Sequence, residues 1–507
     1  MKQYEVFELH YCAEKPAVDY VHVNLKATFR CVSEEVIVKG FYTGQNHYCI
    51  RFYPRYAETY EILVEGLITD KRIVKCEKAD EQHHGMVHSV ETHFEYEDGT
   101  YYYPFGTTVY GLVHQGKELI DQTMKTLKEA PFNKIRFCVF PKSYTYNHND
   151  PELYAFEGSV DHWNTKRPCF AFWDHLEKRI KELGEMEIQC DLILFHAYDR
   201  WGFSRLSEEQ IEDYLEYLER RLVAYPNIWW SLANEYDIVD YDISQWERIE
   251  EMTAGKDPYR HLLSNHQMAM PWDFSRPNVT HISTQIKNVD NVKMDIIRFQ
   301  KPLMVDECRY EGNIHLEWGN ISGFEMVNRF WKIIAQGGYC THGETFLNPD
   351  EILWWSKGGV LRGTSPKRIS FLRDLVESFP GPLSYCGEYL TVEKIRHMLK
   401  RTDDEWKKSF EYRYLTRVKP EYAAELTNIC ADYIAGYKEE VFLKYFERQC
   451  TVEGILDLPE AHRYDIELID IWEMTRKTVR ENVSGHVVVN LPGKEGMALL
   501  ATRRKSI

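Results

Sequence analysis

Trp229-Trp230-Ser231-Leu232-Ala233-Asn234-Glu235-Tyr236-Asp237 is an apolar run of strand length that ends abruptly in Asn-Glu-Tyr-Asp. A strand buried in a parallel sheet reads as a near-continuous hydrophobic run. Polar groups at its C-terminal end therefore stand where an α/β barrel keeps its active site. Pro302-Leu303-Met304-Val305-Asp306-Glu307 repeats the pattern, its glutamate 72 residues further on (307 minus 235). Two carboxylic acids at the ends of two such strands are the equipment for cleaving a glycosidic bond.

Outward from this stretch, strand-like runs alternate with helical segments from Phe105 onward, which implies βαβ units and a parallel sheet. Eight runs are readable: Gly106 to Val113, Lys134 to Phe140, Cys190 to Phe195, Ile228 to Leu232, His261 to Ser264, Thr280 to Thr284, Leu303 to Val305 and Gly338 to Cys340. Leu206 to Val223 has helical 3-4 spacing with an outer charged face, and Ser207 is its N-cap. Eight such repeats predict an α/β fold, a (β/α)8 TIM barrel, over residues 89–385. Residues 1–88 read as a β-sandwich, from short alternating runs such as Val36 to Tyr42 and Tyr48 to Phe52. A helical and charged connecting segment is expected at 386–429, and a small C-terminal β domain at 430–507, with runs at Val441 to Leu443, Tyr464 to Leu468 and Gly485 to Val489.

The chain of 507 residues carries a net charge of −17, which excludes a partner that needs a basic face, nucleic acid above all. No 18-residue apolar stretch predicts a membrane span. The N-terminus, Met1 to Glu8, lacks the apolar core of a signal peptide, so a cytoplasmic protein is expected. Its 12 cysteines are scattered without a CxxC, and Cys138, Cys190, Cys308 and Cys340 lie in or beside buried strands, as core thiols do. No cofactor and no metal are expected, and a homo-oligomer is compatible with the sequence.

Most strand ends carry polar groups: His114, Gln115, Lys142, His196, Asp199, Asn234, Glu235, His266, Gln285, Glu307 and Glu344. In a closed barrel these collect in one ring at the top face. Acetal hydrolysis needs an acid for the leaving oxygen and a carboxylate facing the anomeric carbon. Glu235 is assigned as acid/base and Glu307 as nucleophile, since the fourth and seventh strands face each other across the mouth. Asn234 is expected to hold Glu235 and bind a sugar hydroxyl. Arg136 is expected to keep Glu307 ionised, or else to form a core ion pair. Asp306 competes with Glu307, because alternation along a strand sends only one of the two into the cleft. Asp199 and Asp237 are lesser rivals. Trp354 and Trp355 read either as an aromatic wall for a sugar ring or as packing. The histidines at His114, His196, His266 and His342 raise a metal-dependent barrel hydrolase as an alternative, and a non-catalytic carbohydrate-binding protein is a third reading.

Taken together, these residues resemble a family. Asn234-Glu235 closing the fourth strand and Glu307 closing the seventh resemble clan A glycoside hydrolases, which are retaining barrel enzymes. Tyr103-Pro104-Phe105-Gly106-Thr107-Thr108-Val109-Tyr110 with His114-Gln115 is similar to the opening of the apiosidase-like barrel. Arg136 to Lys142, Phe195 to Gly202 and Thr341 to Thr345 extend the match, and Trp201 thereby joins the substrate-binding set. Lys39-Gly40-Phe41-Tyr42 and Arg51-Phe52-Tyr53-Pro54 resemble the Ig-like domain that precedes such barrels in bacterial proteins. Asp470 to Met474 and Leu491 to Lys494 resemble the β domain that follows them. The apiosidases themselves close the fourth strand with Gly-Asp, where this chain has Asn234-Glu235. The resemblance implies a retaining exo-glycosidase acting on an oligosaccharide or glycoside.

Overall fold

The computed structural model describes residues 1–429 and 432–505, so Cys430, the expected start of the C-terminal β part, lies outside the described residues. They form two compact units. The first gathers Met1–Ile286, Lys301–Gly323 and Cys340–Lys367; the second gathers Lys287–Gln300, Phe324–Tyr339 and the described residues from Arg368 onward.

Eight parallel strands form one sheet: β1 (Phe105–Thr108), β2 (Lys134–Cys138), β3 (Gln189–His196), β4 (Ile228–Asn234), β5 (Leu263–Ser264), β6 (Ile282–Gln285), β7 (Leu303–Glu307) and β8 (Tyr339–His342). The order β5-β4-β3-β2-β1-β8-β7-β6 curls the sheet into a nearly closed barrel. The seam between β5 and β6 is bridged rather than laddered: Thr280 N donates to Leu263 O (2.9 Å) and the Ser264 hydroxyl to His281 O (2.7 Å). The whole of β4 is buried, as its apolar run requires.

Two strands are shorter than their apolar runs predict. β1 stops at Thr108, and Leu112–His114 is a 3-10 turn. The turn is set by tertiary bonds, because Tyr110 N and Gly111 N donate to Trp355 O and Ser356 O, both at 3.0 Å. A Cβ on Gly111 would stand 2.8 Å from the Ser356 carbonyl, so this close approach needs glycine. β5 keeps only Leu263 and Ser264, since Asp257 Oδ2 takes both the backbone N–H and the ring Nδ1 of His261 at 2.8 Å. The expected helix is present at Glu208–Leu222, closed by a capping box of Ser207 and Gln210.

Inside the barrel lies a charged layer. Lys134 bonds Asp191 (2.5 Å) and Asp306 (2.9 Å), and the Ser283 and Thr341 hydroxyls donate to Asp306 at 2.6 and 2.8 Å. Buried charges are tolerable only when paired and hydrogen-bonded. Desolvation would raise the Asp306 pKa, but Lys134 and Arg136 overcome it and hold this carboxyl well below the usual range.

The N-terminal residues of the same unit form two antiparallel sheets. One runs Phe7–Cys12, His47–Phe52, Phe41–Gly44; the other runs Glu35–Lys39, Leu25–Arg30, Thr59–Gly66, Asp70–Lys75. They share a core that includes Phe29, Phe52, Tyr60 and Ile62. The expected single run from Val36 to Tyr42 breaks at Gly40, where a Cβ would meet Leu25 Cδ2 at 2.6 Å. Arg51 ties this part to the barrel helices through Glu177 and the Arg221 carbonyl (2.7 Å).

In the second unit a six-stranded antiparallel sheet and a strand pair enclose Leu456, Tyr464, Ile466, Val489 and Leu499. The charged stretch Glu393 to Glu411 is helical, and with Pro420–Ile429 it closes around Ile395, Trp406 and Leu415. Thr391, Asp403 and Ser409 cap its helices.

Candidate active site

Glu235 follows β4 in the left-handed conformation (φ 56°), a strained state for a glutamate that turns its side chain out of the strand register. Its backbone N–H meets His266 Nδ1 at 3.4 Å. Its carboxylate takes a hydrogen bond from Asn234 Nδ2 at 3.2 Å and another from the Tyr198 hydroxyl.

Glu307 ends β7 and receives the Tyr110 hydroxyl, which also stands 2.8 Å from Asn234 Oδ1. Tyr110 and Asn234 thus link the two glutamates in one chain of polar contacts. Arg136 Nη1 lies 3.8 Å and His266 Nε2 4.0 Å from Glu307 Oε1. Burial, then the neighbouring charge of Glu235, raises the Glu307 pKa, opposed by Lys142 and Arg136. Burial and the adjacent Arg136 keep His266 neutral.

Arg136 lies between the barrel floor and Glu307. It is fully buried, 3.2 Å from Asp191 and 3.9 Å from Asp306 in the barrel floor, while its far nitrogen approaches Glu307. Asp306 is not a rival in the cleft. The β6–β7 register pairs Thr284 with Val305 and Gln285 with Glu307, skipping Asp306. This irregularity breaks the strict alternation that would have sent one of the pair away. Both side chains point inward, Asp306 down to Lys134 and Glu307 up to the mouth.

Aromatic rings surround the carboxylates. Tyr110, Tyr310 and Trp355 form a buried cluster with Tyr144, Tyr146 and Trp318 packed against it. Trp318 and Trp355 have ring centroids 4.9 Å apart, and Tyr144 meets the Tyr198 ring edge-on at 4.8 Å. Tyr144, Tyr310 and Trp318 are not among the residues expected from sequence, and Tyr110 and Tyr198 enter there only as members of family motifs, without a site role. A tyrosine near a strand end reads as core, and only its hydroxyl partner distinguishes it.

The structure gathers Arg136, Lys142, Asn234, Glu235, His266, Glu307 and Trp355 at this mouth, with Gln285 paired beside Glu307. Other expected residues have different partners. His114 bonds Val139 O (3.1 Å) and stacks on Phe172, and His196 bonds Phe140 O (3.1 Å); burial pushes them down to about 3 and about 4. Gln115 returns to Gly111 O (3.1 Å). Asp199 accepts from the N–H groups of Trp201, Gly202 and Ser204, closing a loop; Asp237 does the same for Met268, Ala269 and Met270. Trp201 donates to Asp150 (2.8 Å), and Trp354 to Thr107 (2.8 Å) on a buried side of β1. Glu344 accepts from Arg362 N and Gly363 N, and burial raises it to about 7.

Two groups of side chains bring metal-type donors together among the described residues. Glu311, His342 and Glu344 place their donor atoms within 4.8 Å of one another, as do Glu8, His10 and Cys49. Glu311 and Glu344 spend their oxygens on backbone N–H groups of residues 362–365, and Glu8 pairs with Arg51 at 2.7 Å. None of the expected strand-end histidines other than His342 belongs to either group.

Comparison with known proteins places this geometry. Residues 88–356 match the model described as apiosidase-like, catalytic domain. Residues 1–64 and 431–502 match two domains of unknown function (DUF5060 and DUF5605). No curated protein matches the chain. A crystal structure of a protein from Bacteroides vulgatus, described as a glycoside hydrolase, superposes with a TM-score of 0.85 at 30% identity over 99% of both chains. A glycoside hydrolase family 5 structure from the same organism has a TM-score of 0.61 at 13% identity, covering 83% of this chain and 94% of that one, and shares the fold. The catalytic-domain match spans more than half of the sequence and the full-length relative agrees with it, so this chain is a glycoside hydrolase that belongs to the apiosidase-like family.

Proposed function

We propose that the protein is a retaining exo-glycosidase that releases a terminal sugar from an oligosaccharide or glycoside by double displacement. Glu307 attacks the anomeric carbon while Glu235 protonates the leaving oxygen; Glu235 then activates the water that frees the sugar. The observation that carries this reading is the coupled pair itself. Glu235 and Glu307 sit at the ends of β4 and β7, each receiving a tyrosine hydroxyl, with Asn234 and Tyr110 between them. The Tyr110 bond favours the ionised form of Glu307, and neutral His266 adds no competing charge.

The packed rings of Tyr144, Trp318 and Trp355 offer an aromatic face for a sugar ring beside the carboxylates. We propose action on short oligosaccharides in the cytoplasm; no helix of the described residues is long and apolar enough to cross a membrane. The flanking β parts take no part in catalysis in this proposal.

The test is a screen of 4-nitrophenyl apioside, arabinofuranoside, galactoside, xyloside, glucoside and fucoside, with the anomer of the first product followed by proton NMR. Release with retained configuration is expected. Inverted product, or carboxylates about 9 Å apart in a crystal structure, would assign the other mechanism.

A further inference from the structure

Lys142 is 5% exposed, and its ammonium lies 3.5 Å from the Tyr110 ring centroid and 4.3 Å from that of Tyr198. These are the two tyrosines whose hydroxyls engage Glu307 and Glu235. Among the described residues, Lys142 Nζ has no hydrogen-bond acceptor and no ion-pair partner. Two ring faces offset only part of the desolvation of an ammonium. The three N–H donors of Lys142 are therefore available to an acceptor that enters the cleft.

The loop that carries Lys142 is fixed. Ser143 N donates to Tyr198 O (2.8 Å), Val139 N to Ile193 O (3.0 Å), and Phe140 O is taken by His196. Both neighbouring tyrosine hydroxyls are committed to carboxylates, and Arg136 is paired with Asp191 in the floor. Lys142 thus brings uncommitted donors to the two carboxylates, beside Arg136 and His266 Nε2, whose nitrogens also lack a hydrogen-bond acceptor but lie fully buried near Glu307. Burial lowers its pKa, and the charges of Glu235 and Glu307 work against that loss.

We propose that Lys142 reads one hydroxyl of the terminal sugar, donating to that oxygen while the ring rests against Glu235 and Glu307. The acceptor is a neutral hydroxyl rather than a sugar carboxylate. Two carboxylates already stand around this one ammonium, and a chain of net charge −17 repels a further anion. The inference deepens the glycosidase reading and rests on it.

The experiment is a double-mutant cycle between enzyme and substrate. Lys142→Met and wild type are compared on the 4-nitrophenyl glycoside that wild type turns over fastest and on its monodeoxy series. Loss of a hydrogen bond to a charged donor lowers kcat/KM roughly 10- to 150-fold. That loss is expected for Lys142→Met on the parent glycoside, and for wild type on one particular deoxy analogue. On that analogue the two enzymes should differ by less than about threefold, because the lost bond is already missing. Lys142→Arg keeps the charge and should recover part of the parent activity; it also serves if the methionine variant does not fold. An equal loss by Lys142→Met on the parent and on every deoxy analogue would overturn the proposal, since a merely structural role acts on all alike. Wild-type protein that cleaves none of the glycosides counts instead against the glycosidase reading, and the assignment of Lys142 falls with it.

Discussion

Asp306 and Glu307 are neighbours in sequence yet both turn toward the inside of the barrel, because the β6–β7 register passes from Val305 to Glu307 without pairing Asp306. One skipped residue divides a double carboxylate into a buried anchor bonded to Lys134 and a group at the mouth bonded to Tyr110. Their substitutions should therefore fail in different ways.

Asp306→Ala removes the partner of Lys134, Ser283 and Thr341 and leaves charge unpaired in the barrel floor. Destabilisation of about 3–5 kcal/mol is expected, read as a lower urea midpoint. The sign with pH follows from the depressed pKa: the stability contributed by Asp306 is present above about pH 4, the unfolded value, and is lost as pH falls through the lower folded value. Wild-type stability in the Asp306→Ala protein would remove this residue as an anchor.

Glu307→Ala should fold normally and lose at least about 10⁴-fold in kcat on every substrate, as removal of a nucleophile does. Glu235→Ala should spare substrates with good leaving groups, since an activated phenolate needs little protonation. If the natural substrate is a β-glycoside, azide should restore this variant and yield a β-glycosyl azide. Substantial activity in Glu307→Ala would assign the nucleophile elsewhere.

The acid limb of the kcat/KM profile should lie above the ordinary glutamate range, because Glu307 must be ionised to attack and its pKa is raised by burial and by Glu235. Tyr110→Phe removes a hydrogen bond that favours the ionised form. The limb should then move further up, by about one pH unit. A limb that stays in place or moves down would mean that Tyr110 does not govern this carboxylate.

Trp355→Ala opens the ring cluster formed with Tyr110, Tyr310 and Trp318. KM should rise about tenfold while kcat changes less, the mark of lost binding shared by ground and transition states. An unchanged KM would return Trp355 to a packing role.

Apolar runs ending in Asn234-Glu235 and Asp306-Glu307 were enough to place the barrel, its fourth and seventh strands and the two glutamates. Burial on both faces of a parallel strand leaves a continuous hydrophobic signature, and polar residues at its end break that signature visibly. The Ser207 cap was equally legible, because capping is local chemistry between residues three apart. Strand ends set by distant partners were not: just past β1, Trp355 and Ser356, from far along the chain, take the N–H groups of Tyr110 and Gly111. The choice between Asp306 and Glu307 depended on a skipped register that no period-two pattern records. Tertiary structure alone separated His266 at the cleft from His114 and His196 in the packing, and showed which tyrosines meet carboxylates. Sequence pattern reports burial and period, whereas the partner of a buried polar group is settled by strands that meet only when the barrel closes.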